Sequence, residues 1–303
     1  MKTIGITGGA GFVGQHITSL LLGLGYEVVV FTRNNTLTNT HKCLLYAHWD
    51  PDKELCDTQA LSSLDAIIHL AGAGIADKRW TADRKKEIVH SRVHGTAFLV
   101  SQLSIHAPHC KTFIAASAIG YYGPDKQLDN PFTELSPASP DFLGDTCQKW
   151  EAESLKAATH CRAVILRLGI VLGKESGAYP QLAAPLPYGI MPVLGSGNQV
   201  VSWIEVSDLA RLFIFALENE NISGIYNAVA PNPVTHLQLM QAIAKARGGF
   251  KIPAPAPAFL LKIILGEMAV EVLKSCFVSA HKTIAAGFMF KFPDIASTAQ
   301  HLR

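Results

Sequence analysis

Thr7-Gly8-Gly9-Ala10-Gly11-Phe12-Val13-Gly14 is the stretch on which the fold turns. It follows a short β-rich run, Thr3 to Thr7, and opens a segment from Phe12 to Leu24 with a helical apolar pattern. Three glycines spaced three apart, between a strand and a helix, suit a backbone that must turn tightly and then approach an anion. Gly8 permits the turn, Gly11 lets the backbone come close to a pyrophosphate, and Gly14 lets the helix pack on the strand. The N–H groups of Phe12 and Val13 then face the anion with the helix dipole behind them. Placed between strand and helix, the trio is a dinucleotide-binding signature.

Outward from this turn, strand-like runs alternate with helical patterns. Glu27 to Thr32, Ala66 to Leu70 and Thr112 to Ala116 read as strands, and Thr81 to Leu103 as a helix. Arg162 to Leu168 and Gly224 to Ala228 read as strands around a helix from Ser207 to Glu218. The alternation predicts an α/β fold, a Rossmann-type doubly wound parallel sheet with helices on both faces. Pro and Gly cluster from Gly173 to Gly197 and from Pro253 to Pro257, where a second lobe is expected to leave the sheet. Residues 1–172 are assigned to the dinucleotide-binding domain, with 201–230 returning to the sheet. Residues 173–200 and 231–303 are assigned to a smaller C-terminal substrate lobe. Within it, Phe259 to Lys274 is expected to form one amphipathic helix over the substrate cleft.

The chain has 303 residues, which at about 150 per domain fits two units, and its 49% hydrophobic content supplies a sizeable core. Lys plus Arg total 26 against 24 Asp plus Glu, with no long basic run. That balance argues against a nucleic-acid footprint and for a small-molecule partner. Six cysteines lack the spacing of a zinc site or a disulfide framework and read as reduced, mostly buried thiols. The apolar stretch from Phe259 to Val272 is interrupted by Lys262, Glu267 and Glu271, too short and too charged to span a bilayer. No signal-like apolar run precedes Thr3, so the expected location is the cytoplasm, without a membrane anchor. Oligomeric state is not legible in the residues.

At the end of the second strand, where an NAD enzyme places an acid against the ribose hydroxyls, the chain reads Phe31-Thr32-Arg33. Arg33 is suited to pair with a 2′-phosphate, and Thr32 adds a hydroxyl, so the expected cofactor is NADP(H) rather than NAD(H).

The glycine turn, His69-Leu70-Ala71-Gly72 at the end of the strand that starts at Ala66 and Ser117 just after the strand that starts at Thr112 together resemble the extended short-chain dehydrogenase/reductases. More narrowly, Arg79-Trp80-Thr81, Ser91-Arg92-Val93, Gly120-Tyr121-Tyr122-Gly123, Trp150-Glu151, Gly195-Ser196-Gly197, Trp203-Ile204 and Tyr226-Asn227 resemble the atypical epimerase-family branch of the NAD-dependent epimerase/dehydratase superfamily. Members of that branch carry a C-terminal domain of unknown function, here Ile252 to Leu302, with Gly266-Glu267-Met268 and Ala286-Gly287-Phe288 as its recognisable parts.

The resemblance implies that Leu70, Ala71 and Gly72 line the cofactor, that Ile170 presents backbone to the nicotinamide amide, and that Ser117 polarises a substrate oxygen. It also implies a Tyr-x-x-x-Lys pair for proton chemistry, but those positions fall on Cys147 and Glu151. A carboxylate one turn away should raise the Cys147 thiol pKa, so Cys147 reads as structural. Where many relatives carry Asn facing the nicotinamide this chain has Arg92, a group able to hold a phosphate, a ribose or an anionic substrate. Glu87 and Glu151 are the acids expected to orient it. The proton donor is left among Tyr121, Tyr122 and a bound water. His69 reads as a satisfied structural histidine; Trp80 and Trp203 read equally as pocket or as core. Sugar-nucleotide epimerases often follow the arginine at Arg167 with an aromatic residue and Asn, and this chain does not. The leading expectation is an NADP(H)-dependent oxidoreductase or epimerase on a small, unidentified organic substrate. The alternative is a non-enzymatic NADP(H)-dependent sensor or scaffold.

Overall fold

The computed structural model describes residues 2–34, 37, 40–125 and 130–303. The chain begins with β1 (Thr3–Thr7), α1 (Phe12–Gly23), β2 (Glu27–Thr32), β3 (Leu44–Asp50), β4 (Leu55–Cys56), α2 (Thr58–Ser62) and β5 (Ala66–His69). There follow α3 (Ala82–His106), β6 (Thr112–Ala118), α4 (Phe142–Leu155), β7 (Arg162–Leu168), β8 (Ile170–Leu172) and α5 (Ala178–Ala183). After β9 (Ile190–Leu194), β10 (Val200–Val201) and β11 (Trp203–Glu205), α6 (Val206–Glu218) leads into β12 (Gly224–Ala228). The last part holds β13 (Val234–Thr235), α7 (His236–Arg247), β14 (Ile252–Ala256), α8 (Ala258–Leu265), α9 (Ala269–Leu273), α10 (His281–Ala285) and α11 (Ile295–His301).

Among the described residues the main sheet runs β12-β7-β6-β5-β1-β2-β3-β4, parallel except for the β3–β4 edge. From β1 the chain moves outward through β2 and β3, then returns to β5 and moves the other way. The switch therefore lies between β1 and β5, and the crevice at the carboxyl ends of these strands is where such sheets bind ligands. One face is covered by Ile17 and Leu21 of α1 with Leu209, Leu212 and Phe213 of α6. The other face meets Leu61, Leu99 and Leu103 from α2 and α3. The doubly wound arrangement read from the alternation is thus the one observed.

A separate apolar cluster joins Tyr179, Leu186, Met191, Leu239, Met240, Ile243 and Leu302. The pairs β9–β14 and β10–β13 flank it, outside the main sheet. Asp208 of α6, fully buried, accepts the N–H groups of Lys291 and Phe292 and fixes the C-terminal segment to the sheet.

The stretch from Phe259 to Lys274 departs from the single helix its apolar pattern suggests. Gly266, at φ +63°, ends α8, and the chain resumes through a short 3₁₀ turn into α9. A left-handed glycine stops a helix whatever the periodicity around it. Trp80 and Trp203 are both core: Trp80 packs with Ile88 and Leu143 and donates its indole N–H to the Ile75 carbonyl, and Trp203 is fully buried.

His69, at the end of β5, is fully buried between Thr7 Oγ1 on Nδ1 (2.6 Å) and Thr96 Oγ1 on Nε2 (2.9 Å). Burial pushes its pKa down to about 3. The neutral ring is favoured by folding, so this contribution is complete above the unfolded value of 6.5 and is lost as pH falls toward 3. Urea unfolding is expected to show stability dropping by up to about 1.4 kcal/mol per pH unit from this group. A His69→Gln variant should flatten the profile between about pH 5 and 6.5; an unchanged slope would place the titration elsewhere.

Candidate cofactor and active site

At the glycine turn, Gly8 adopts φ +73°, and the Gly11 N–H closes the turn on the Gly8 carbonyl at 3.0 Å. A Cβ on Gly8 would meet Ala71 N at 2.9 Å, so the loops after β1 and β5 touch across the switch point. A Cβ on Gly14 would lie 2.3 Å from the Gly8 carbonyl oxygen, which is the close helix–strand approach the sequence called for. Gly11 is the N-cap of α1 and brings no side-chain cap, and the first turn carries no acid. The leading N–H groups, Phe12 and Val13 among them, are therefore left to an external acceptor, and an anion is the favoured one. The Phe12 ring packs toward Gly173, while Val13 and Leu70 lean on the core.

A cavity of about 850 Å³ opens from this turn along the carboxyl ends of β1, β2 and β5. Gly8, Thr32, Arg33, Ala71, Gly72 and Glu87 all line it. Arg33 is exposed and stands 3.6 Å from the Asp52 carboxylate. The Thr32 hydroxyl accepts the Asn34 N–H at 3.1 Å. Gly8, with the open α1 terminus beyond it, and Arg33 thus stand at two ends of this cavity, backbone donors at one and a cation at the other, and that donor set fits a dinucleotide.

On the other side of the switch point a buried polar network crosses four elements. Glu151 of α4 receives Arg167 of β7 through two bonds, Nε to Oε1 at 2.8 Å and Nη2 to Oε2 at 2.7 Å. Ser117 Oγ of β6 donates to Glu151 Oε1 at 2.6 Å. Arg167 Nη1 donates to the Tyr122 hydroxyl, which donates in turn to Asn227 Oδ1 of β12, each at 2.8 Å. The Tyr121 ring lies 3.4 Å from the guanidinium. Burial opposes the charge of Arg167, but the Glu151 carboxylate more than offsets it and the guanidinium pKa moves up. Burial, partly countered by Arg167, pushes Tyr122 up to about 12, and burial together with Glu151 pushes the Cys147 thiol up to about 12.

Residues 4–228 match the NAD dependent epimerase/dehydratase family, and residues 256–302 match a domain of unknown function, DUF1731. The chain belongs to the NAD dependent epimerase/dehydratase family. It is similar to the epimerase family protein YfhF of Bacillus subtilis, 37% identical over 96% of this chain and 95% of that one. Among solved structures it resembles the human epimerase family protein SDR39U1, determined with NADPH, at 28% identity and TM-score 0.86 over 99% and 98% of the two chains. Thermus thermophilus UDP-glucose 4-epimerase, determined with NAD, shares the fold at 21% identity and TM-score 0.77, over 99% of each chain. As an epimerase/dehydratase family member, this is a nicotinamide-dinucleotide-binding protein of the extended short-chain dehydrogenase/reductase type.

The structure corrects several assignments. Neither expected acid orients Arg92: Glu87 pairs with Arg84 at 2.7 Å, and Glu151 is committed to Arg167. Arg92 is buried, gives Nη1 to the carbonyls of Ala73 (2.9 Å) and Ile88 (3.3 Å), and lies over Trp150. Tyr122 is sealed in the network and is no proton donor to a cleft, whereas Tyr121 is only half-buried. The Ser117 hydroxyl is 2% exposed and donates to Glu151, so its hydrogen is already committed. The Ile170 N–H already serves the Ser202 carbonyl at 2.9 Å, which leaves other atoms of that residue to meet a ligand. Among the lining residues that sequence reasoning missed are Arg84, buried and bonded to Gly74 O and Glu87, and Asp52 beside Arg33. The sign that finds Arg84 is its place one turn before Ile88 on the inward face of α3, where a cation needs partners.

No described helix is long and apolar enough to cross a membrane.

Proposed function

We propose that this protein is an NADP(H)-dependent oxidoreductase or epimerase acting on a small organic substrate. The observation that carries the reading is the cavity at the switch point, walled at one end by Gly8 and at the other by Arg33. The human relative determined with NADPH supports the phosphorylated cofactor. When bound, the nicotinamide would supply a hydride acceptor or donor. The turn at Gly8, Gly11 and Gly14 and the Phe12 and Val13 amides would hold the pyrophosphate. Thr32 and Arg33 would hold the 2′-phosphate, and Leu70, Ala71 and Gly72 would border the adenosine half. Arg92, packed against Gly72, offers its charge to an anionic group of cofactor or substrate. Ser117 would orient a substrate hydroxyl by accepting a hydrogen bond from it, with Glu151 fixing the serine rotamer. Tyr121, whose ring lies over the Arg167 guanidinium, would give or take the proton.

Two measurements test this. Purified protein with NADPH and a panel of carbonyls, alcohols and sugars should show cofactor oxidation or stereochemical inversion with at least one class; silence across the panel together with no NADPH binding would end the proposal. In calorimetric titration, Arg33→Ala should weaken NADPH by about ten- to hundred-fold, roughly 1.5–3 kcal/mol for a charge-assisted pair, and leave NADH nearly unchanged. Equal weakening of both would mean that Arg33 acts through structure.

A further inference from the structure

Beside the Arg33 end of the cavity, and outside the network of Ser117 and Glu151, three side chains converge that the cofactor reading does not use. His90 and His94 stand four residues apart on α3, so both imidazoles rise from one face one turn apart. Their rings stack at 4.5 Å with 13° between planes. Asp52, in the short turn after β3, brings its Oδ1 to 3.4 Å from His90 Nδ1. One ligand atom from each of the three lies within 4.8 Å of the others. The Nδ1 of His94 is buried and has no hydrogen-bond partner.

We propose that Asp52, His90 and His94 form a binding site for one divalent first-row transition ion, of which zinc is the representative. Bonds of about 2.0–2.1 Å in a tetrahedron place neighbouring ligand atoms about 3.3–3.4 Å apart. The Asp52–His90 edge already has that length. Closing the third corner takes a rotation of the His94 ring out of the stack, which costs it no hydrogen bond at Nδ1. Two imidazoles and one carboxylate leave a fourth position open to water or a ligand, the pattern of an accessible rather than a closed site. The surroundings select the ion. Arg33 pairs with the other oxygen of Asp52, and Lys86 lines the same cavity. A hard ion such as magnesium, which relies on several oxygen ligands, gains little from one shared carboxylate, whereas zinc, nickel and copper bond strongly to imidazole.

Asp52 and His90 share the cavity wall with Arg33, so the site is tested on the full chain without nucleotide. Cobalt(II) titration should give one equivalent of a tetrahedral visible spectrum without the sulfur-to-metal band of a thiolate site, and zinc should displace it. His90→Ala, His94→Ala and Asp52→Asn should each weaken the metal by at least about tenfold, since even loss of an outer-sphere partner typically costs that much. His109→Ala, an exposed histidine on the turn after α3, should bind as wild type. Thermal unfolding confirms that the variants are folded. A thiolate band, or wild-type affinity in the three site variants, overturns the proposal.

Discussion

Glu151→Ala is expected to destabilise the protein by about 3–5 kcal/mol, measured by urea unfolding, because it leaves the Arg167 guanidinium buried without its counter-ion. Arg167 is 1% exposed and Glu151 4% exposed, so water cannot replace the lost carboxylate without opening the sheet. The two bonds to Arg167 and the bond from Ser117 go together, and the Tyr122–Asn227 link then hangs on an unpaired cation. Against a total folding free energy of about 5–15 kcal/mol this is a large fraction. The pair as a whole is a different matter: charges taken out of water repay their desolvation only in part, so Glu151→Leu with Arg167→Met should recover most of the loss. A Glu151→Ala variant within about 1 kcal/mol of wild type would show that the network is solvated in solution.

That network also marks where the sequence stops being legible. The strands β1, β2, β7 and β12 are read to the residue, because each is a short apolar run bounded by glycine, charge or a turn. β3 escapes such a reading: Leu44–Asp50 mixes Tyr46, His48 and Asp50 among its apolar residues, and it lies toward the edge of the sheet. Its burial comes from β2 on one side and from Trp49 meeting the His69 ring edge to face, contacts made with other strands of the sheet.

The site divides in the same way. Gly8, Gly11, Gly14 and Arg33 are local signals, and the structure places Gly8 and Arg33 on one cavity. The partner of Glu151 is not a local signal. Arg92 is the arginine to which sequence reasoning assigns both Glu87 and Glu151, although Glu87 stands three residues after Arg84 and five before Arg92, and only the first spacing makes helix neighbours. Packing decided the Glu151 pairing: α4 lies over β6 and β7, so its inward carboxylate meets the arginine of β7 and the serine of β6. An arginine inside the apolar strand Arg162–Leu168 was itself the sign that an acid had to come from another element.

Gly14→Ala is expected to lower affinity for NADPH and NADH alike by more than about 100-fold, some 2.7 kcal/mol. The added methyl would sit 2.3 Å from the Gly8 carbonyl oxygen and 2.6 Å from Gly9 Cα, both backbone atoms. The turn cannot retreat, because a Cβ at Gly9 would itself lie 2.9 Å from Val30 of β2, so Gly9 is already pressed against the sheet. The helix must tilt or slide instead, and that moves the Phe12 and Val13 amides away from the pyrophosphate they are placed to meet. The pyrophosphate is common to both nucleotides, so the equal loss separates this variant from Arg33→Ala, whose effect is confined to the phosphorylated one. Gly23→Ala is the control on the same helix. A Cβ there meets nothing within 4 Å, and the substitution should raise stability by about 0.5–1 kcal/mol through the lost freedom of the unfolded chain, with cofactor affinity unchanged. Calorimetric titration with each nucleotide, alongside thermal unfolding of both variants, reads the two effects apart. Undiminished binding by a folded Gly14→Ala protein would mean that the nucleotide does not rest on the α1 terminus.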